Sequence, residues 1–365
     1  MRAYIVMPCL NEERALVATC ASLGFGPGVA TDNPDGTLVL VDNGSTDRTP
    51  ELMRYIRQGS PPGAVELAHE PERGYVPPRR RGIDLVAQLA LEEGLVAEDV
   101  LILQADADTQ YQPGYVTEMR AAGETAGPQT LLEGRAEAPP EFALEHPAYQ
   151  ALCEQVSASV RTLCVAETDD VVVDDKICAF RLADYCVWGG HAREYDRQGQ
   201  EIHAETSRLF LRARSYGARK IMAEGAVAEP SRRKLYESPG LYFATTGFPH
   251  DAEWAARWRR DYAGIDSFEA FHQSHPLVHE AILLRQCHDL ILFGVLPLWV
   301  GHALGTLPTT DALGARLAPL LRLLPPLTRD QLRHTPGLVL YTALQLIDLQ
   351  LPQLKIYLAK NTNLS

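Results

Sequence analysis

The stretch VLILQADADTQ, residues 100–110, decides the fold class. Its apolar and β-branched first half predicts a buried strand, and Asp106 and Asp108 follow where that strand ends. Helical patterns flank it, at residues 82–95 before it and 114–124 after it. A strand between two helices favours a parallel sheet with right-handed crossovers. In such a sheet, ligands bind beyond the carboxyl ends of the strands.

Two further strands are predicted upstream, in RAYIVMPCL (2–10) and TLVLVDNGS (37–45), with a helical pattern between them. Polar residues follow both strands: Asn11 and Glu12 after the first, and the segment from Asp42 to Asp47 after the second. We therefore expect an α/β fold with a Rossmann-like, mostly parallel central sheet and flanking helices. Its polar strand ends would meet at one edge.

The remainder of the chain divides into less regular segments. Residues 123–170 are rich in proline, residues 171–190 predict a strand, a short helix and a glycine turn, and a helix closed by Gly217 precedes another strand. From residue 251 onward the sequence is mainly helical. We expect a domain at 1–250, divided into two halves at 1–122 and 123–250, followed by a helical appendage at 251–365.

Composition excludes several classes of protein. The 34 basic and 47 acidic residues give a net charge of −13, which disfavours binding to nucleic acid by overall charge. Seven cysteines without a Cys-x-x-Cys pair favour reduced thiols over a disulfide framework or a zinc site. The short apolar start is not typical of a signal peptide, so we expect a cytoplasmic protein.

The most apolar stretch is LILFGVLPLWVGHALGTL, residues 290–307. Pro297 and His302 within it favour a buried helix pair over a membrane span. The segment 312–327 is amphipathic with arginines on its polar side, so a peripheral contact with the inner membrane face stays open.

The candidate chemistry lies at the strand ends. Two aspartates one residue apart, Asp106 and Asp108, would turn hard oxygen ligands toward Mg²⁺ or Mn²⁺, and the cation would neutralise a diphosphate. Asp42 ends the preceding predicted strand, where an acid would accept hydrogen bonds from a base or ribose. Helix capping alone explains Ser45 and Asp47, but it does not explain Asp42.

Three motifs in order resemble the inverting family 2 glycosyltransferases with a GT-A fold: VMPCLNEE (6–13), VLVDNGSTDRT (39–49) and LILQADADTQY (101–111). The resemblance covers approximately residues 3–235 and implies a nucleotide-sugar-binding half at 1–122 and an acceptor half at 123–250. It implies a hexosyltransferase-like enzyme with a nucleotide-diphosphate-sugar donor, commonly a UDP-sugar. It also implies a divalent cation, Mn²⁺ or Mg²⁺, held by the Asp-x-Asp motif, and transfer with inversion to an acceptor hydroxyl on a glycan, a lipid or a small molecule.

Carried over by position, the resemblance assigns the nucleoside site to Pro8, Asn11 and Glu12, and the contact with the base to Asp42. Asn43 stands where the family usually has a second aspartate. ERGYVPPRRRGI (72–83) resembles the family's arginine segment and places Arg79 near the diphosphate, whereas at least one of the three consecutive arginines is expected to be solvated. Asp106 and Asp108 match the metal and ribose motif.

The acceptor half departs from the family. In GGHAREYDRQGQEIHAETSRLFLRARSYGAR (189–219), Glu205 matches the family's glutamate, and Thr206 stands where its catalytic aspartate is usual. An inverting transfer needs a carboxylate that takes the acceptor's proton. We predict Glu205 as this base; Asp174 or Asp175, or a reaction that needs no base, are the alternatives. A helix N-terminal acid would equally explain Glu205.

Two residues nearer the C-terminus complete the prediction: Arg232 for the diphosphate and His250 as a third metal ligand. The acceptor would bind against the helical tail. The alternative function is a catalytically weak or inactive nucleotide-sugar-binding protein on the same fold, which Thr206 favours. A nucleotidyltransferase ranks below both, because no glycine-rich basic loop follows the first strand. The sequence leaves the donor sugar, the acceptor and the oligomeric state open.

Overall fold

The protein is described by a computed structural model that covers residues 1–29, 35–196, 198–248, 252–273, 275–306 and 312–362. Its contacts divide it into two compact units. The first, called here the sheet unit, comprises Met1–Glu137 and Val173–Ser231. The second, the helical unit, comprises Ala138–Val172 and Arg232–Ser365.

The strands of the described residues form one eight-stranded sheet in the order β3-β2-β1-β4-β7-β6-β8-β5. They are β1 (Arg2–Cys9), β2 (Thr37–Asp42), β3 (Val65–His69), β4 (Val100–Gln104), β5 (Gln110–Tyr111), β6 (Thr130–Ala136), β7 (Cys178–Arg181) and β8 (Arg219–Glu229).

The α-helices are α1 (Leu16–Ser22), α2 (Thr49–Gln58), α3 (Val76–Glu92), α4 (Tyr115–Thr125), α5 (Pro140–Glu145), α6 (Pro147–Val160), α7 (Leu182–Val187), α8 (Glu205–Arg214), α9 (Arg233–Glu237), α10 (Pro239–Thr245), α11 (Ala252–Asp261), α12 (Pro276–Leu290), α13 (Leu296–Leu304), α14 (Ala312–Leu321), α15 (Arg329–His334), α16 (Pro336–Leu349) and α17 (Leu351–Asn361).

The first four strands of the sheet order are all parallel, whereas β4 pairs with β7, β7 with β6, and β8 with β5 in antiparallel fashion. The predicted α/β class, with a central sheet, flanking helices and a helical C-terminal region, is confirmed. The sheet itself is mixed. At 171–190 the predicted strand and short helix form as β7 and α7, whereas the run of three valines before β7 lies outside any strand.

Helices cover the parallel strands on both sides, so alternate side chains enter two separate cores. Ile5 and Met7 belong to one core, and Tyr4 and Val6 belong to the other. Helix α3 approaches the second face closely: a Cβ on Gly82 would lie 2.4 Å from the Val6 side chain. This close approach holds the first turn of α3 at the carboxyl edge of the sheet.

The helical unit contains a continuous helix from Pro276 to Leu304, with a π-helical turn at Ile291–Val295. Pro297 has no N–H to donate to the carbonyl of Phe293, four residues earlier. The backbone N–H of Val165 donates to that carbonyl instead, at 2.8 Å. The predicted helix pair is thus one helix, and its proline is accommodated by a neighbouring segment.

Within the described residues, this helix alone has the length and apolar composition that crossing a membrane would require, and 78% of its most apolar 18-residue window is buried inside the protein.

The compact units do not coincide with the predicted domains at 1–250 and 251–365. Segment 138–172 packs with the C-terminal helices, and the chain returns to the helical unit at Arg232. The sequence of 138–172 hides this association, because a helical pattern does not indicate which neighbour the helix packs against.

Candidate active site

The carboxyl ends of three neighbouring parallel strands bring the predicted polar residues to one edge of the sheet unit. Strand β1 lies between β2 and β4, with Cys9 opposite Asp42 and Val6 opposite Gln104. The loops that follow these strands carry Asn11 and Glu12, the residues after Asp42, and the pair Asp106 and Asp108. The sheet therefore places these predicted side chains at the same edge, while Pro8 lies within β1 itself.

The loops after β1 and β2 are tied together by reciprocal hydrogen bonds. Asn11, at a positive φ of 58°, donates its backbone N–H to the Ser45 hydroxyl at 3.1 Å, and its side-chain Oδ1 accepts from the Thr46 N–H at 2.8 Å. The Glu12 N–H donates to the hydroxyl of Thr49 at 2.8 Å. Asn11 thus shapes the loop as well as lining the edge.

Asp42 is held from two sides. One carboxylate oxygen accepts the Ser45 backbone N–H at 3.0 Å, and the other lies 3.0 Å from Nδ1 of His69, at the end of β3. Sequence analysis missed His69. The short alternating run before it, VELAH, is the signal that would have extended the edge by one strand.

Asn43 is buried, and its side chain forms hydrogen bonds with the segment that follows β3. Its side-chain Nδ2 donates to the backbone carbonyls of Glu70 and Glu72, at 2.9 and 2.7 Å. A carboxylate has no proton to donate at neutral pH. Asn43 stands where the family that the sequence resembles usually has a second aspartate. Its two hydrogen bonds therefore hold in place the segment that follows β3.

Arg79, in the first turns of α3, is the centre of the site. Its Nη2 lies 2.6 Å from Asp175 and 3.3 Å from Asp106, and its Nη1 lies 2.9 Å from Glu205. The Arg79 side chain is 8% exposed, whereas the neighbouring residues Arg80 and Arg81 are exposed to solvent. One arginine of the three thus binds the carboxylates.

These groups shift one another's pKa. Burial, reinforced by repulsion from Asp175, raises the pKa of Asp106 to about 7, against the attraction of Arg79. Burial acts to lower the pKa of Arg79, but the three carboxylates outweigh it and raise that pKa. Burial would raise the pKa of Asp175, yet Arg79 and Lys176 hold it below its usual value. Burial, with repulsion from Asp175, raises the pKa of Glu205.

Asp106 and Asp108 fit a divalent cation by their chemistry. Both offer hard carboxylate oxygens, the ligands that such cations prefer. Mg²⁺ is commonly held by one or two carboxylates together with substrate phosphates. The described residues contain no cluster of three ligands able to hold a metal without such help. The predicted third ligand, His250, lies outside the described residues.

Glu205 and Thr206 begin helix α8 and are both buried. The Glu205 side chain is 4% exposed, and its carboxylate faces Arg79. Thr206 is fully buried, and its hydroxyl accepts a hydrogen bond of 2.9 Å from Nε2 of Gln104, on β4. Thr206 therefore links the helix to the sheet and offers no group to a substrate.

Arg232 belongs to the helical unit. Its guanidinium lies 3.9 Å from the centroid of the Phe142 ring, and burial lowers the pKa of its side chain. The arrangement is a cation–π contact. The predicted role of Arg232 at a diphosphate stays a prediction.

Residues 4–161 match the family model described as glycosyl transferase family 2. A search of curated protein sequences found no significant match.

Three solved structures illustrate what the chain is similar to. The mannosyltransferase PcManGT from Pyrobaculum calidifontis, in complex with GDP-Man and Mn²⁺, is 18% identical, covers 95% of this chain and 87% of its own, and has a TM-score of 0.43. S. aureus TarS 1–349 with UDP-GlcNAc is 15% identical, covers 96% and 92%, and has a TM-score of 0.43. Glucosyl-3-phosphoglycerate synthase from Mycobacterium tuberculosis, in complex with Mn²⁺, UDP and phosphoglyceric acid, is 15% identical, covers 68% and 80%, and has a TM-score of 0.38. TM-scores below 0.5 are too low to assign an activity to this chain.

The family match covers the strands β1, β2 and β4 with the loops that follow them, and it includes Arg79. It bears out the resemblance drawn from the three motifs and the GT-A type of α/β fold that the resemblance implies. Over residues 4–161 the chain is therefore similar to glycosyl transferase family 2.

Proposed function

We propose that the protein transfers a sugar from a nucleotide-diphosphate donor, with a UDP-sugar favoured, to an acceptor hydroxyl with inversion at the anomeric carbon. Together with the family match, one structural observation supports the proposal. Arg79 and a surplus of carboxylates, Asp106 and Asp175 among them, converge at the carboxyl ends of the parallel strands. This is where α/β sheets bind nucleotides.

The donor is proposed to span the edge. Asp42, with His69 behind it, would accept hydrogen bonds from the base, and Pro8, Asn11 and Glu12 would border the nucleoside. Asp106 and Asp108 would hold Mn²⁺ or Mg²⁺, which supplies Lewis-acid stabilisation of the diphosphate leaving group when bound. Arg79 would place its positive charge beside the same phosphates, where negative charge grows as the sugar departs.

The proton of the acceptor hydroxyl must pass to a carboxylate at this edge. Glu205 is the base predicted by its position in the motif, and Asp175 contacts the same arginine. Both carboxylates lie in the sheet unit, so neither requires a contribution from the helical unit.

Binding of a nucleotide sugar without turnover is the second candidate function. The observation that favours it is Thr206, which is buried where the family usually has its catalytic carboxylate. A protein of this kind would bind the donor and leave it intact through a long incubation. Steady release of nucleoside diphosphate by the wild-type protein would exclude it.

The test is a thermal-shift panel of UDP-glucose, UDP-N-acetylglucosamine and GDP-mannose, each with and without Mn²⁺. A ligand that binds the folded state raises the melting temperature by mass action. We expect a shift with at least one donor that requires Mn²⁺, followed by nucleoside diphosphate release in the same mixture. Donor shifts that are equal without metal would contradict the metal-dependent version.

A cytoplasmic location with a peripheral membrane contact is proposed for the helical unit. Leu349, at the end of α16, and Ile356, on α17, are 68% and 57% exposed. Lys355 on α17 and Arg322 directly after α14 are exposed cations of the same unit. Apolar side chains with nearby cations favour anionic lipid surfaces. Sedimentation with phosphatidylserine vesicles, and none with phosphatidylcholine vesicles, is the expected result.

A further inference from the structure

Asp175 lies in the turn that precedes β7, in the sequence DDK at residues 174–176. Its carboxylate is 2.6 Å from Nη2 of Arg79, and Asp106 contacts the same nitrogen at 3.3 Å. Two carboxylates on one guanidinium nitrogen must lie side by side. We propose that Asp175, rather than Glu205, takes the proton from the acceptor hydroxyl. The proposal rests on the proposed function and adds the identity of the base to it.

Exposure separates the two carboxylates. The side chain of Asp175 is 30% exposed, almost equal to the 31% of Asp106, whereas that of Glu205 is 4% exposed. A general base must come within hydrogen-bond distance of the substrate proton, about 2.6–3.2 Å between heavy atoms. An acceptor hydroxyl reaches Asp175 from solvent, but it meets Glu205 only after Arg79 or α8 has moved.

The step balances in one displacement. A lone pair of the acceptor oxygen forms the bond to the anomeric carbon, and the electron pair of the bond from that carbon to phosphate oxygen leaves with the nucleoside diphosphate. The acceptor's O–H proton passes to the Asp175 carboxylate, and the O–H electron pair stays on the new glycosidic oxygen. No oxidant or reductant takes part.

The first test replaces Asp175 with asparagine and measures nucleoside diphosphate release from the panel donors with Mn²⁺, with water as the acceptor. General-base catalysis contributes about 10²–10⁴-fold to a rate. Asp175→Asn should therefore lose about that factor, while the thermal shift with donor and Mn²⁺ stays within about 1–2 °C of the wild-type shift. The unchanged shift would show that the variant folds and binds the donor.

The matched control is Asp174→Asn, the same change one residue earlier on a side chain that is 29% exposed and contacts Lys176. Its rate should fall less than tenfold. Glu205→Gln decides between the two candidate bases, and it should lose less activity than Asp175→Asn.

The second test supplies a nucleophile that needs no base. Azide carries its attacking lone pair without a proton, so Asp175→Ala should form the glycosyl azide from donor and sodium azide while its transfer to water remains low. Mass spectrometry of the product gives a readout that a merely misfolded variant would not show.

Each of the following results would overturn the assignment. Asp175→Asn with the wild-type rate would exclude Asp175 as the base, and so would a larger loss in Glu205→Gln or Asp174→Asn. Loss of the Mn²⁺-dependent donor shift in Asp175→Asn would make it part of the donor site. If the wild-type protein neither binds nor cleaves any panel donor, the proposed function fails and this inference fails with it.

Discussion

Replacing Arg79 with methionine removes the cation that three carboxylates share and keeps much of the apolar side-chain volume. Asp106, Asp175 and Glu205, each now 2.6–3.3 Å from a nitrogen of Arg79, would then face one another without their common partner. Removing one partner of a buried ion pair costs about 3–5 kcal/mol.

The loss in the free energy of unfolding should lie at the lower end of that range, because water reaches two of the carboxylates, whose side chains are about 30% exposed. A loss of about 3 kcal/mol corresponds to a drop of roughly 6–12 °C in the melting temperature for a unit of this size. Without Arg79 the carboxylates' pKa values rise in the folded state. Acids with raised folded-state pKa values destabilise the fold increasingly as the pH rises. The deficit should therefore be larger at pH 8 than at pH 5.

The assay is differential scanning calorimetry of the wild-type protein and Arg79→Met at both pH values, without nucleotide or metal. Arg80→Met is the matched control, because Arg80 is the next residue of the same helix and is exposed. It should change the melting temperature by less than about 2 °C, because surface substitutions usually change the free energy of unfolding by no more than about 0.5 kcal/mol. Arg79→Met melting as the wild-type protein does at pH 8, or a deficit equal at both pH values, would refute the account of a charge-balanced centre.

Three further substitutions test the electrostatics of the edge. Asp106→Asn should raise the melting temperature at pH 8 by an amount equivalent to about 1–3 kcal/mol and leave it unchanged below pH 4. The pKa of Asp106 is about 7 in the folded protein, so its ionisation costs stability as the pH rises above about 4. A lower melting temperature at pH 8 would contradict this. Asn43→Asp should destabilise by about 2–4 kcal/mol in urea unfolding, since it loses both donations to backbone carbonyls, and an unchanged midpoint would count against that role. Thr206→Asp introduces the residue usual in the family. It should lower the free energy of unfolding by about 3 kcal/mol or more, because it buries a charge beside Gln104, and it should not increase turnover. A faster and equally stable variant would contradict the structural role of Thr206.

Long uninterrupted apolar runs made part of the sheet predictable from the sequence. The strands that precede Asn11, Asp42 and Asp106 are of this kind, and their positions alone placed the polar loops at one edge. Strand β6 escaped prediction because it contains Gly134 and has an irregular register: a Cβ on that glycine would lie 2.5 Å from the carbonyl oxygen of Ala226. Such a contact is invisible without the partner strand.

The candidate site was predictable only where a motif carried it. Arg79 was found by its motif, but its partner Asp175 lies 96 positions away. A contact of that separation depends on how the sheet folds, and local composition gives no sign of it. The same limit applied to His69, which reaches Asp42 through a strand pairing that the sequence analysis did not include.

The central claim is that a nucleoside diphosphate binds at the carboxyl edge through a cation held by Asp106. Titration calorimetry of UDP and GDP into the wild-type protein and Asp106→Asn, with and without Mn²⁺, tests it most directly. We predict binding of one nucleotide by the wild-type protein that depends on Mn²⁺, and its loss in Asp106→Asn, although that variant is the more stable at pH 8. Equal binding without Mn²⁺, or undiminished binding by Asp106→Asn, would contradict the claim.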